Sequence, residues 1–181
     1  MAQGATIYNF DINLSDMDRA IYEQLALRVA QHPTETMEYL LTRILAYCLE
    51  FREGIAFGES IGTTGGQEPA VIARDATGRL MLWVEVGMPD ADKLHKASKA
   101  AERLVIYTHR DPTNLKNNMR NKTIYNADQI PIFSFEYGLL AKLIAKTERR
   151  TIWDLSVTEG QIYLTVGGET IETRLIEDRL G

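Results

Sequence analysis

The chain has 181 residues, 45% apolar and 25% charged, with a net charge of −5. These totals fit one soluble globular domain and disfavour a generic polyanion binder. No apolar run approaches the ~18 residues of a membrane-spanning helix, and the single cysteine, Cys48, excludes an intramolecular disulfide or a CxxC zinc knuckle.

Residues 5–14 alternate apolar and polar, which predicts a strand. After the polar turn Ser15-Asp16-Met17-Asp18, the period of two persists through residues 21–30, so the pair reads as a hairpin. His32-Pro33 stops it. Thr34 is the expected cap of a long helix, with Glu35 and Glu38 in its positive first turns. Met37, Leu40, Leu41, Ile44, Leu45, Cys48 and Leu49 follow at helical spacing. Cys48 therefore reads as core packing.

Residues 54–66 are glycine-rich and predict a loop with at most a short strand. Residues 70–73 form a candidate strand, 75–78 a turn and 80–86 a strand apolar throughout except for Glu85. Pro89-Asp90 opens a helix reaching Ala101, and residues 103–108 are again strand-like. Strand, short helix, strand is a crossover unit, so strands 80–86 and 104–108 should lie parallel and adjacent. Residues 114–121 predict a short helix, 130–135 a strand and 136–147 a helix. The turn signals Glu159-Gly160 and Gly167-Gly168 divide the tail into a meander of 151–157, 161–166 and 170–175.

Glu85 is the most informative residue. A carboxylate in so apolar a strand costs several kcal/mol unless it is paired, protonated or bound to a metal. A cation such as Arg43, a backbone amide at the strand end, or a divalent ion would each meet that need. A second acid, Glu68, lies just upstream in the loop Gly65-Gly66-Gln67-Glu68-Pro69. Two converging carboxylates suit a hard divalent cation. Residues 93–122 hold eight Lys/Arg against two acids in an otherwise acidic chain. That asymmetry points to nucleic acid or to a solvated helix face. His32, His95 and His109 have no zinc-ligand spacing, and His32 reads as a turn residue.

The order helix, hairpin, acid-bearing strand, helix, strand resembles the PD-(D/E)XK, or restriction-endonuclease-like, superfamily. More closely, the chain is similar to the YaeQ family in the segments Ala5-Thr6-Ile7-Tyr8, Ser15-Asp16-Met17-Asp18-Arg19, His32-Pro33-Thr34-Glu35-Thr36, Glu68-Pro69, Leu82-Trp83-Val84-Glu85-Val86-Gly87 and Pro89-Asp90. The resemblance implies an α+β fold: a restriction-endonuclease-like mixed sheet flanked by helices, with an additional β-sheet from the N-terminal hairpin and C-terminal meander. A single domain, 1–181, would then have its core over roughly 32–147 and accessory strands in 1–31 and 148–181.

The resemblance also implies a site. Glu85 takes the D/E position and Glu68 the first-acid position, Ala70 being unable to serve. Gly87 stands where the motif has lysine, so Lys96 on the following helix is the candidate replacement, and Glu38 or Glu35 a third acid. Magnesium or manganese on Glu68, Glu85 and Glu38 would support nuclease or phosphodiesterase chemistry, with Lys93, Lys96 and Lys99 on nucleic acid. The alternative is a degenerate member binding nucleic acid or a protein partner without catalysis. Either reading is of a cytoplasmic monomer with no membrane association.

Overall fold

In a computed structural model, which describes residues 4–59 and 67–181, the chain divides into two compact units. One takes in Met1–Leu41 and Phe135–Leu175, the other Thr42–Ser134 and Ile176–Gly181. Gly65 and Gly66 of the glycine-rich loop lie outside the described residues.

The first unit is built on strands β1 (Thr6–Asp16), β2 (Ile21–Gln31), β8 (Arg150–Thr158), β9 (Gln161–Val166) and the start of β10 (Glu169–Arg179). Their order is β2-β1-β8-β9-β10. The expected hairpin is present, with Thr6 opposite Gln31 and Asp16 opposite Ile21. The meander is present too, with two-residue turns at Glu159-Gly160 and Gly167-Gly168 whose four residues all have positive φ. Positive φ at both turn positions matches the right-handed twist of the flanking strands. Hairpin and meander join by a parallel pairing of β1 with β8. Asp18 braces that junction, its carboxylate accepting the N–H groups of Glu159 (2.7 Å) and Gly160 (2.9 Å). Alternation along β1 and β8 buries Phe10, Ile12, Leu14, Trp153 and Leu155 on one face.

The second unit carries β3 (Ile55–Phe57), β4 (Val71–Arg74), β5 (Leu80–Val86), β6 (Arg103–Thr108) and β7 (Pro131–Phe135). The order is β7-β6-β5-β4-β3, with the last residues of β10 beside β7. β5, β6 and β7 run parallel, while β3, β4 and β5 are antiparallel. The crossover expected between residues 86 and 103 is therefore correct. The last strand runs longer than the expected 170–175, since β10 extends from Glu169 to Arg179.

Helices α2 (Ala91–Ala100) and α3 (Pro112–Met119) cover one face of this sheet. Leu94, Ala97 and Leu115 pack there with Leu104, Ile106 and Ile132, and Trp83 borders the cluster. The alternate residues Arg103 and Tyr107 face the other side. There the buried Glu50, just past α1 (Met37–Leu49), accepts two bonds from the Arg103 guanidinium (2.9 and 3.2 Å) and one from the Tyr107 hydroxyl (3.0 Å). α1 also stacks Tyr47 on Phe57 of β3, and its buried Cys48 thiol has its pKa pushed up by burial, as packing requires.

Three helix limits depart from the expected ones. α1 starts after Thr36, not Thr34, because Thr36 Oγ1 accepts the Tyr39 N–H and its carbonyl accepts that of Leu40. Thr34 instead bonds His32 Nδ1 in the preceding turn, so Glu35 stands ahead of the helix. α3 starts at Pro112, since Asp111 caps it by accepting the Thr113 N–H and Pro112 suits the first helical position. α4 (Leu139–Ala145) is shorter than 136–147, because Gly138 enters at φ +88°.

Removing a buried carboxylate from its cations is strongly destabilising, tempered here by the partial exposure of Arg103. Glu50→Ala is expected to cost about 3 kcal/mol in urea denaturation. A loss below about 1 kcal/mol would show that the network does not anchor α1 to β6.

Candidate functional site

β5 delivers Glu85 to the α2 face of the sheet, on the same side as Trp83 two residues earlier. Glu85 is 3% exposed. Its partner is neither Arg43 nor a backbone amide. The Lys93 ammonium lies 3.1 Å from Glu85 Oε1, and the Trp83 indole N–H donates to the same oxygen at 2.6 Å. Arg43 instead places its guanidinium over the Phe57 ring. Burial pushes the Glu85 pKa above its ordinary range, the positive charge of Lys93 and the two hydrogen bonds pull against that, and Asp90 adds to it; the net direction is upward.

Lys93 comes from the first turn of α2. Asp90 caps the helix by accepting the Lys93 backbone N–H at 2.8 Å. The Lys93 ammonium also donates to the Glu68 carbonyl at 3.0 Å. One lysine therefore ties the acid-bearing strand to the backbone of Glu68. Two of its three N–H donors are taken by these acceptors.

Of the other sequence candidates, Glu68 holds its carbonyl to Lys93 while its side chain stands exposed. Ala70 is buried and its N–H donates to the Val84 carbonyl. Lys96 is exposed one turn further along α2, so the lysine that meets Glu85 is Lys93. Lys99 is exposed as well, and Glu38 is exposed in the first turn of α1. Among the described residues no three or more His, Cys, Asp or Glu side chains are grouped as a metal ion would need, so Glu68, Glu85 and Glu38 are not such a set.

Gly87, two residues after Glu85, is a position whose backbone favours glycine. β5 has ended, and Gly87 adopts φ +87° while its N–H donates to the Tyr107 carbonyl at 2.9 Å. A lysine there would carry a left-handed penalty of roughly 1–2 kcal/mol. The signal for Lys93 was in the sequence: an Asp90 cap puts residue 93 in the first turn, over the end of the strand the helix follows, and residue 96 about 4.5 Å further along the axis.

The basic segment is less free than its composition suggests. Arg103 pairs with Glu50, Lys116 with Asp178, and Arg120 bonds the Asn117 side chain. Lys96, Lys99, Arg110 and Lys122 remain without an ion pair among the described residues. No helix among those residues is long and apolar enough to cross a membrane.

A family model described as YaeQ protein matches residues 1–175. An uncharacterized protein YaeQ of Escherichia coli (strain K12) is 28% identical over 177 residues, covering 97% of this chain and 96% of its own. Its counterpart in Salmonella typhi is 26% identical over 176 residues, with 97% and 96% covered. Two crystal structures of YaeQ proteins are similar in fold. That from Pseudomonas syringae has a TM-score of 0.83 and 29% identity, covering 98% of each chain. That from Xanthomonas axonopodis pv. citri has a TM-score of 0.82 and 25% identity, covering 96% of this chain and 97% of that one.

A carboxyl whose pKa is raised by folding holds its proton more tightly in the folded chain. Its contribution to stability is then full below the unfolded value and is lost as pH rises through the folded one. Glu85→Gln does not titrate. The melting temperature of wild type minus that of Glu85→Gln is therefore expected to fall as pH rises above the ordinary glutamate range. A difference that grows as pH rises would mean that attraction to Lys93 outweighs burial.

Proposed function

The chain belongs to the YaeQ family, and from that premise we propose that it is a Mg²⁺-dependent nuclease or related phosphodiesterase on a restriction-endonuclease-like core, with Glu85 and Lys93 as its acid and lysine. The observation that carries this reading is the 3.1 Å pair of Lys93 Nζ with Glu85 Oε1 at the end of the buried strand β5. The mixed sheet of β3 to β7, with α1 on one face and α2 and α3 on the other, supports the core assignment.

The donors fit a magnesium ion held by one or two carboxylates and completed by water and substrate phosphate oxygens. Glu85 would hold it through Oε2, to which no described residue donates, and the exposed Glu68 carboxylate would be the second ligand. When bound, the ion supplies positive charge to a phosphate and activates water. The chain's own part is orientation: Lys93 aligns Glu85 and has one N–H left to offer a phosphate oxygen or an attacking water. Burial of Glu85 keeps the pair in a medium where such interactions are stronger than in water.

A second reading, a binding module without catalysis, is favoured by a separate observation. Lys93 already spends two donors within the protein, and the described acids form no three-membered group. In that reading Lys96 and Lys99 carry the contacts to nucleic acid.

Short DNA and RNA, single- and double-stranded, offered with Mg²⁺, Mn²⁺ or EDTA, separate the two. Cleavage is expected only with a divalent ion, falling at least about 100-fold in Glu85→Gln and Lys93→Met and unchanged in Arg79→Ala, whose side chain pairs with Glu102 at the surface. Cleavage that survives Lys93→Met would overturn the acid–lysine assignment. Salt-dependent binding without cleavage under any ion would establish the second reading, and Lys96→Ala with Lys99→Ala should then lower the salt slope by about 2.

A further inference from the structure

We infer that Trp83 is the positioning residue of this site: its indole N–H pins one oxygen of Glu85 against Lys93, so that the carboxylate meets a ligand through its other oxygen alone. The nature of that ligand rests on the phosphodiester reading above, whereas the pinning stands on geometry within the chain.

Trp83 and Glu85 are two residues apart in a strand, so their side chains rise side by side from one face. Indole N–H is a donor only, and in a half-buried setting it needs an acceptor. It finds one in Glu85 Oε1 at 2.6 Å, the same oxygen that the Lys93 ammonium reaches at 3.1 Å. Two donors fill the two lone pairs of that oxygen. No described residue donates to Oε2. The carboxylate is thus divided into a structural oxygen and an available one.

The indole is itself held. Trp83 packs against the cluster of Leu94, Ala97, Leu104 and Ile106, which α2 and β6 share. Lys93 leaves the same helix next to Leu94. The indole is thus held by the apolar cluster and the ammonium by the helix whose Leu94 belongs to that cluster, and together they fix the orientation of the carboxyl plane. Partners of this kind, one shell out from a ligating carboxylate, are commonly worth 10–100-fold in metal affinity.

The test reads the metal-free and the ion-bearing protein separately. In metal-free protein the Trp83 indole ¹H–¹⁵N signal is expected well downfield, as a bond to a charged acceptor requires, and should move upfield in Glu85→Gln. An indole signal unmoved by Glu85→Gln would overturn the inference, and this arm needs no change at Trp83. In Trp83→Phe, which keeps the ring against the cluster and removes the donor, Mn²⁺ affinity measured by paramagnetic resonance is expected to fall about 10-fold. A folded Trp83→Phe with wild-type Mn²⁺ affinity would reduce Trp83 to packing and overturn the positioning role. Wild-type protein that binds no Mn²⁺ and cleaves nothing would sink the nuclease reading, while the indole signal would still decide whether Trp83 pins Glu85.

Discussion

A carboxylate buried in an apolar strand has to be compensated, because leaving it alone costs several kcal/mol. Glu85 meets that demand through one lysine and one indole converging on a single oxygen. Much of the local structure follows. Lys93 must sit in the first turn of α2, so the chain has to turn sharply out of β5, and it does so at Gly87 in a left-handed conformation. The Asp90 cap then starts the helix with Lys93 already over the strand end. The same ammonium holds the Glu68 carbonyl, which brings that residue's backbone to the site.

The parts of the fold that depend on local pattern were readable from the sequence. A run apolar but for Glu85 made β5 a strand covered on both faces, and the crossover length made β6 its parallel neighbour. The period of two through Val29 marked the hairpin. Elements set by distant partners were harder. The polar end of β10, Glu177-Asp178-Arg179, carries no apolar signal. It is strand through its neighbours, with Lys116 on Asp178 and the Leu180 N–H on the Ile130 carbonyl. The parallel meeting of β1 with β8 joins residues about 140 apart and leaves no local trace.

The site divides in the same way. That Glu85 is buried and paired followed from its surroundings in sequence. Which cation pairs with it is not told by composition, because Arg43, Lys93 and Lys96 all lie on helices; the signal is the Asp90 cap, which places Lys93 in the first turn. The choice depends on where α2 begins relative to the strand end, and Gly87 with Asp90 sets that. The basic segment shows the opposite limit. Composition suggested one charged face, but Lys93, Arg103 and Lys116 are engaged with Glu85, Glu50 and Asp178. Local charge therefore overstated what is left for a polyanion.

The site depends on a direct coupling between Glu85 and Lys93. A double-mutant cycle of Glu85→Gln with Lys93→Met, followed by urea denaturation, measures it without reference to any ligand. A coupling of about 2 kcal/mol is expected for a pair this deeply buried, and none between Glu85→Gln and Lys96→Met. Coupling near zero at Lys93, or of equal size at Lys96, would contradict the arrangement on which the site depends.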